Sequence, residues 1–295
     1  MTSSPVTLLD AIDRVSDQLQ QSNVALGQGT LSWRDEAAWL VLWALGLPLD
    51  VDDAALLAPL DLKQWAQVQQ LTQRRIDTRL PMAYLSGEAW LQGVPFTVDE
   101  RVIIPRSLIA EVLAEGLLDP WVPESKARVL DLCTGNGSLA VLCAMAWPWA
   151  QVDALDVSEE ALAVAAINLQ RHALEDRITL IPSDGLARAN GPYDLVVCNP
   201  PYVNQSSMQA LPPEFRHEPS LALAGGADGM DFIRPMLAQL PRHLKPTGAL
   251  VLEIGHEIEH FLRAFPDLPA IWLPTSAGDE QVLLIEARAL REQHN

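Results

Sequence analysis

A chain of 295 residues, 49% of them hydrophobic, can bury one large core or two smaller ones. Its 38 acidic and 20 basic residues leave a formal net charge of -18. That field repels nucleic-acid phosphates unless a local basic patch overrides it, and the densest basic spot, Arg74-Arg75, lies in a helical pattern among glutamines. No direct nucleic-acid partner is therefore expected; a basic protein partner suits the charge, and so does solubility alone.

Met1-Thr2-Ser3-Ser4-Pro5 has no basic stretch followed by an apolar core, so no signal peptide is expected. The first 85 or so residues read as helical. Leu8, Ile12, Val15 and Leu19 recur at helical spacing, Asp35 to Leu45 carries a second apolar pattern with Trp39 and Trp43, and Asp61 to Thr78 a third with Leu62, Trp65, Val68, Leu71 and Ile76. Trp33, Trp39, Trp43 and Trp65 read as helix packing. Pro81 ends this region. From Tyr84 to Ile104 the pattern becomes strand-like, with Ala89 to Leu91 and Pro95 to Val98 flanking Gln92-Gly93, then Val102 to Ile104: a hairpin or small meander closed by Pro105-Arg106.

From Ser107 onward helices and strands alternate. Strands are expected at Val129–Cys133, Val152–Val157, Ile178–Ile181, Leu195–Cys198, Leu250–Ile254 and Val282–Ile285, with helices at Ser138–Ala146, Glu159–His172 and Phe232–Leu244. Repeated βα units with continuously apolar strands predict a doubly wound, mostly parallel sheet. The longest apolar run, Leu139 to Ala150, is too short to span a bilayer and contains Pro148, so no membrane association is expected. Cys133, Cys143 and Cys198 sit in apolar stretches without a CxxC pair, which fits a reducing, cytoplasmic compartment and no metal site.

Asp131-Leu132-Cys133-Thr134-Gly135-Asn136-Gly137 leaves a strand and enters a helix, where glycines let the chain turn sharply and a ligand approach the backbone. Asp156 ends the next strand, followed by Val157, at the place where an acid bonds ribose hydroxyls in a nucleoside site. Asp184, within Ser183-Asp184-Gly185 after the third strand, can accept from an adenine amino group. Either acid alone reads equally well as a helix cap, but together they form a nucleoside site. The loop itself does not exclude a dinucleotide, since Ala140 is tolerated in Gly-x-Gly-x-x-Gly/Ala.

The next motif decides. In Cys198-Asn199-Pro200-Pro201-Tyr202, two prolines fix φ and remove two backbone donors. The Asn199 side-chain oxygen and the Pro200 carbonyl remain as acceptors suited to a planar NH₂ group, on which Tyr202 can stack. An amide nitrogen is a weak nucleophile because its lone pair is delocalised. Engaging both N–H bonds orients that lone pair, and positioning of this kind can supply roughly 7–11 kcal/mol in favourable systems.

These segments resemble the motifs of class I S-adenosylmethionine-dependent methyltransferases acting on exocyclic or amide nitrogens, and within them the glutamine methyltransferases of the HemK/PrmC/PrmB group, over nearly the whole chain. The resemblance implies a class I methyltransferase fold with a seven-stranded sheet. It implies a helical substrate-recognition domain at 1–82, a β-hairpin linker at 83–106 and a catalytic domain at 107–295. S-adenosylmethionine is the implied cofactor, held by Asp131, Cys133, Thr134, Gly135, Asn136, Gly137, Asp156, Val157, Ser183, Asp184, Gly185 and Asn199. Asn199, Pro200 and Tyr202 are the implied catalytic residues, with Pro201 and Arg106 beside them in substrate binding.

One branch of that group modifies the Gly-Gly-Gln glutamine of release factors and typically reads Ile-Pro-Arg-Pro-Asp-Thr-Glu in the linker. This chain reads Ile104-Pro105-Arg106-Ser107-Leu108-Ile109-Ala110-Glu111, which is similar to the branch acting on ribosomal protein L3, as is Leu211-Pro-Pro-Glu-Phe-Arg-His-Glu218-Pro219. The implied partner is therefore L3. A release-factor enzyme, an adenine-N6 nucleic-acid methyltransferase and a non-catalytic assembly factor are the alternatives. Arg106, Glu111, His217 and Glu218 are expected either near the acceptor mouth or in salt bridges and caps. Two departures stand out: Asn136 and Ser138 replace the more usual serine and cysteine of the glycine loop, and Gly185 stands where relatives carry a bulky residue beside the adenine.

Overall fold

A computed structural model describes residues 6–292; the N-terminal stretch read above for a leader lies outside them. Two compact units emerge, one of Met1–Glu88 with Leu211–His217, the other of Ala89–Ala210 with Glu218–Asn295.

The first unit is helical. Leu8–Gln21 starts at a capping box in which Thr7 and Asp10 bond reciprocally, and it buries Leu8, Ala11, Ile12, Val15 and Leu19 along one stripe. Trp33–Leu45 is capped by Ser32 and stopped by Gly46 in the left-handed region, and Leu62–Thr78 begins at an Asp61/Gln64 capping box. Of the four tryptophans read as packing, Trp39 is buried and Trp33 donates to the Val24 carbonyl, but Trp43 is 41% exposed. The Arg74-Arg75 spot is no basic patch. Arg75 is 1% exposed and pairs with Glu36 at 2.8 Å, while Glu214, itself wholly buried, lies 3.7 Å from Arg75 and 3.3 Å from Arg79.

Tyr84 departs from expectation. It falls in a short helix, Met82–Ser86, set between Pro81 and a left-handed Gly87, because Met82, Ala83 and Leu85 bury together. The hairpin follows as β1 (Glu88–Leu91) and β2 (Val94–Thr97). Gln92 and Gly93 both take positive φ, as a tight two-residue hairpin turn demands. No third strand forms at Val102–Ile104: the Ile104 N–H donates to the Glu218 carboxylate instead of a strand partner.

The second unit is built on β3 (Arg128–Leu132), β4 (Gln151–Asp156), β5 (Ile178–Pro182), β6 (Tyr193–Cys198), β7 (Leu244–Glu253), β8 (Ile271–Thr275) and β9 (Gly278–Glu286). Their order is β5-β4-β3-β6-β7-β9-β8, parallel except for β9 against β7 and β8. This is the seven-stranded, doubly wound class I arrangement. Strand alternation supplies two cores: Val129, Val152, Ala154, Leu195, Val197 and Val251 face one layer of helices, while Leu130, Leu132, Leu155, Val196, Leu250 and Leu252 face the other.

Two expectations shift here. The helix placed at Phe232–Leu244 spans Ile233–Gln239 and tightens into a 3₁₀ turn at Leu240–Arg242, where Pro241 cannot continue the ladder. β7 then starts at Leu244 rather than Leu250, because Leu244 already pairs with Tyr193. Among the described residues no helix is long and apolar enough to cross a membrane.

Candidate active site

Strand order reverses between β3 and β6, so their carboxyl ends part and leave a crevice of the kind in which ligands bind to open α/β sheets. A cavity of about 230 Å³ lies there, lined by Cys133, Gly135, Asp156, Val157, Ser183, Asp184, Gly185, Asn199 and Pro201. A smaller one of about 30 Å³ shares Cys133, Asn199 and Ile103 with it and adds Arg106, Ser107, Thr134 and Asn136. Three consecutive strand ends and the fourth thus converge, as the spacing of the motifs requires. Asp131, Gly137, Pro200 and Tyr202 line neither cavity.

The turn after β3 is conformationally costly. Cys133 takes φ +63°, a region that L side chains rarely adopt, and Gly135 and Gly137 also have positive φ. Gly137 is glycine for packing as well: a Cβ there would sit 3.2 Å from the Ala165 Cβ. Asp156 steadies the turn by accepting the Gly135 N–H at 2.8 Å and the Ser158 N–H at 2.9 Å. Burial raises the Asp156 pKa, and those N–H donors oppose the rise. Cys133 shares a hydrogen bond with Cys198, and its thiol is pushed up by that bond and by burial. Cys133 is not set up as a thiolate nucleophile.

Asp131 has a packing role. It is fully buried, with Oδ2 accepting from the Thr134 hydroxyl at 2.5 Å and from the Ala140 N–H at 2.9 Å. Burial lifts its carboxyl to about 7 against these two donors. The folded state holds the proton more tightly than the unfolded chain, with its ordinary carboxyl near 3.8. This group's contribution to stability is therefore complete below about pH 4 and is lost as pH rises through about 7. Asp131→Asn should remove that dependence: in urea denaturation at pH 5 and pH 8, the parent should lose stability relative to the variant at the higher pH. A constant difference between the two proteins would contradict it.

Two polar atoms in this region, the Asn136 Nδ2 donor and the Asp131 Oδ1 acceptor, are buried without a hydrogen-bond partner. An amino-acid carboxylate matches the Asn136 donor, which lines the smaller cavity, and the acids Asp156 and Asp184 on the larger one match a nucleoside. The donor set therefore fits S-adenosylmethionine.

Sequence reasoning missed much of the apolar wall. Val102, Ile103, Leu221, Ala222 and Phe232 line the larger cavity from segments distant in the chain. At Gly185, with φ +51°, a Cβ would lie 3.9 Å from Phe232 Cε2. An aromatic ring thus borders the place left open by the missing bulky residue. Arg106 lines the smaller cavity with Asn199, but its guanidinium is engaged by Glu218 through two bonds, at 2.5 and 2.8 Å. Glu111 holds the Ser276 N–H and hydroxyl, and the His217 ring bonds the Thr78 carbonyl at 3.0 Å. Among the described residues no group of three or more His, Cys, Asp or Glu is placed to hold a metal.

Comparison with known proteins agrees with this architecture. Residues 110–217 match the methyltransferase small domain family. The chain is 53% identical to the ribosomal protein uL3 glutamine methyltransferase of Bordetella pertussis, over 98% of this chain and 96% of that one. It is 46% identical to the protein of that name from Burkholderia pseudomallei, over 98% of each chain. For the one from Neisseria meningitidis serogroup A the identity is 44%, over 96% and 94%. Similarity of this strength, end to end and across both units, places the chain in the ribosomal protein uL3 glutamine methyltransferase family.

Proposed function

We propose that this protein transfers a methyl group from S-adenosylmethionine to the side-chain amide nitrogen, N5, of a glutamine in ribosomal protein uL3. The observation that carries the reading is that Asn199 and Pro201 of the Asn-Pro-Pro-Tyr loop line one cavity with Asp156 and Asp184, in a chain alike along nearly its whole length to uL3 glutamine methyltransferases. The bound donor supplies an electrophilic methyl on a sulfonium. Asn199, which lines both cavities, and the Pro200 carbonyl would accept the two amide N–H bonds and turn the nitrogen lone pair toward that methyl. The N–CH3 bond would form as the S–CH3 bond breaks, the electron pair staying on sulfur as a neutral thioether and one N–H proton passing to water. Tyr202 stacks on the planar amide, and Pro201 keeps the loop rigid. Arg106, already paired with Glu218, shapes the loop's surroundings, while the helical unit recognises the protein substrate.

A ribosomal protein that binds RNA is basic, and a surface with net charge -18 attracts it. Raising salt should therefore lower kcat/KM through the association rate while single-turnover transfer in the preformed complex stays constant. A kcat/KM that is flat in salt would contradict steering. Incubation with labelled S-adenosylmethionine and, in separate arms, uL3, a peptide-chain release factor and duplex DNA tests the substrate. Label on uL3 is expected; label on the release factor or DNA alone would overturn the reading.

A further inference from the structure

The acceptor reading gives Tyr202 a task but does not say what holds its ring. The strand register supplies the answer. Cys198 at the end of β6 pairs with Leu252 on β7, so the next residue on β7, Glu253, comes level with the start of the Asn-Pro-Pro-Tyr loop. Glu253 is 3% exposed, and its hydrogen-bond partners Ser107, Leu108 and Tyr202 are all donors. Oε2 accepts from the Ser107 hydroxyl at 2.6 Å and from the Leu108 N–H at 2.9 Å, and Oε1 accepts from the Tyr202 hydroxyl at 3.1 Å. Burial raises the Glu253 pKa and these donors oppose it. A buried carboxylate with several donors is fixed in place, because leaving any of them unpaired is costly.

Around the same tyrosine, three glycines are required by space. A Cβ on Gly255 would lie 2.5 Å from Tyr202 Cε2 and 3.0 Å from Cζ, inside the ring's own volume. A Cβ on Gly229 would lie 2.3 Å from the Tyr202 carbonyl oxygen, and one on Gly225 2.7 Å from its carbonyl carbon. The ring therefore rests against bare backbone at Gly255 while its hydroxyl is tethered to Glu253.

We propose that Glu253 and Gly255 form a socket that sets the pose of the Tyr202 ring for the acceptor amide, with Ser107 and Leu108 fixing the Glu253 carboxylate in turn. Both are positioning residues that act through Tyr202. The proposal rests on the acceptor role given to Tyr202 above, and it extends the site to the end of β7 and the start of the catalytic unit's first helix, neither of which belongs to the recognised motif.

A double-variant cycle on the full-length protein with uL3 as acceptor tests it. Single-turnover transfer at saturating donor should fall by about 10- to 100-fold in Tyr202→Phe, Glu253→Ala and Gly255→Ala alike, since misplacement of a reacting group by about 1 Å can cost 100-fold. Glu253→Ala combined with Tyr202→Phe should be no slower than the slower single variant, Glu253→Gln should recover most of the rate, and the donor Kd by calorimetry should stay near the parent value throughout. Multiplying losses in the double variant, or losses that follow the donor Kd, would overturn the socket. If Glu253→Ala does not fold, Gly255→Ala and Glu253→Gln, each crossed with Tyr202→Phe, make the same comparison. A second readout needs no turnover. Burial raises the Tyr202 phenol and the Glu253 carboxylate beside it raises it further, so the Tyr202 ring-carbon NMR signal, assigned against Tyr202→Phe, should begin to titrate at lower pH in Glu253→Ala than in the parent. Identical titration in both would overturn the socket even if uL3 proved not to be the substrate, whereas a parent that methylates nothing bears on the acceptor reading alone.

Discussion

Replacing Asn199 with alanine should lower methyl transfer to uL3 by at least about 100- to 1,000-fold, the cost typical of removing one preorganised hydrogen-bonding group at a reacting centre. The loss should sit in kcat rather than in donor affinity. Asn199 borders the larger cavity, but so do Asp156, Ser183, Asp184 and Gly185 on two other strand ends and Phe232 across from them. Most of the donor's surroundings therefore survive the substitution. What disappears is the side-chain oxygen that, with the Pro200 carbonyl, engages the acceptor's N–H bonds. Without it the planar amide is held by one acceptor instead of two, and its lone pair stays in conjugation and poorly aimed. Single-turnover assays at saturating donor, paired with calorimetric donor titration, measure the two quantities separately. Near-parent turnover would refute the role assigned to Asn199.

The second large effect concerns stability. Arg75→Ala should destabilise the helical unit by about 3–5 kcal/mol, the range for breaking a buried ion pair by removing one partner. Arg75 is 1% exposed; Glu36 accepts from its Nε at 2.8 Å, and Glu214, with no exposure at all, lies 3.7 Å from its Nη1. Removing the guanidinium leaves two buried carboxylates, of which Glu36 retains the Thr30 hydroxyl and Glu214 the Ala25 N–H and Arg79. Urea denaturation followed by tryptophan fluorescence reports the loss, because Trp33–Leu45 and Leu62–Thr78, the helices that carry Glu36 and Arg75, both contain tryptophan. Removing all three charges together, as Arg75→Met with Glu36→Gln and Glu214→Gln, should cost less than Arg75→Ala alone. A triple variant less stable than the single would contradict the account of the cluster.

These cases also show which parts of the molecule the sequence discloses. β3, β4, β5 and β6 lie close to where apolar runs and caps place them; β3 and β6, buried along nearly their whole length, carry the continuous apolar signal of strands covered on both faces. The strand-end residues Asp156, Asp184 and Asn199 line one cavity for the same reason: each is adjacent in sequence to a strand that the pattern reveals. Contacts between distant segments are not disclosed this way. Glu214 lies well over a hundred residues from Arg75 and packs against it within one unit, and Phe232 reaches the wall beside Gly185 from beyond β6. Glu253 reads as one polar residue at the end of an apolar strand, and only the register of β7 against β6 brings it to Tyr202. Local signals failed at Tyr84 and at Val102–Ile104. Short apolar stretches there satisfy strand and helix patterns alike, and the burial of Met82, Ala83 and Leu85 in the first case and Glu218 on a backbone N–H in the second decide the outcome.

The central claim is that the loop at the end of β6 presents a glutamine amide of uL3 for methylation. Tandem mass spectrometry of uL3 after incubation with the protein and S-adenosylmethionine tests it most directly. The account predicts one added methyl group, located on the side-chain amide nitrogen of a single glutamine and missing when Asn199→Ala replaces the parent. A methyl group on lysine, arginine or a terminal amine, or a modification of glutamine that Asn199→Ala leaves intact, would contradict it.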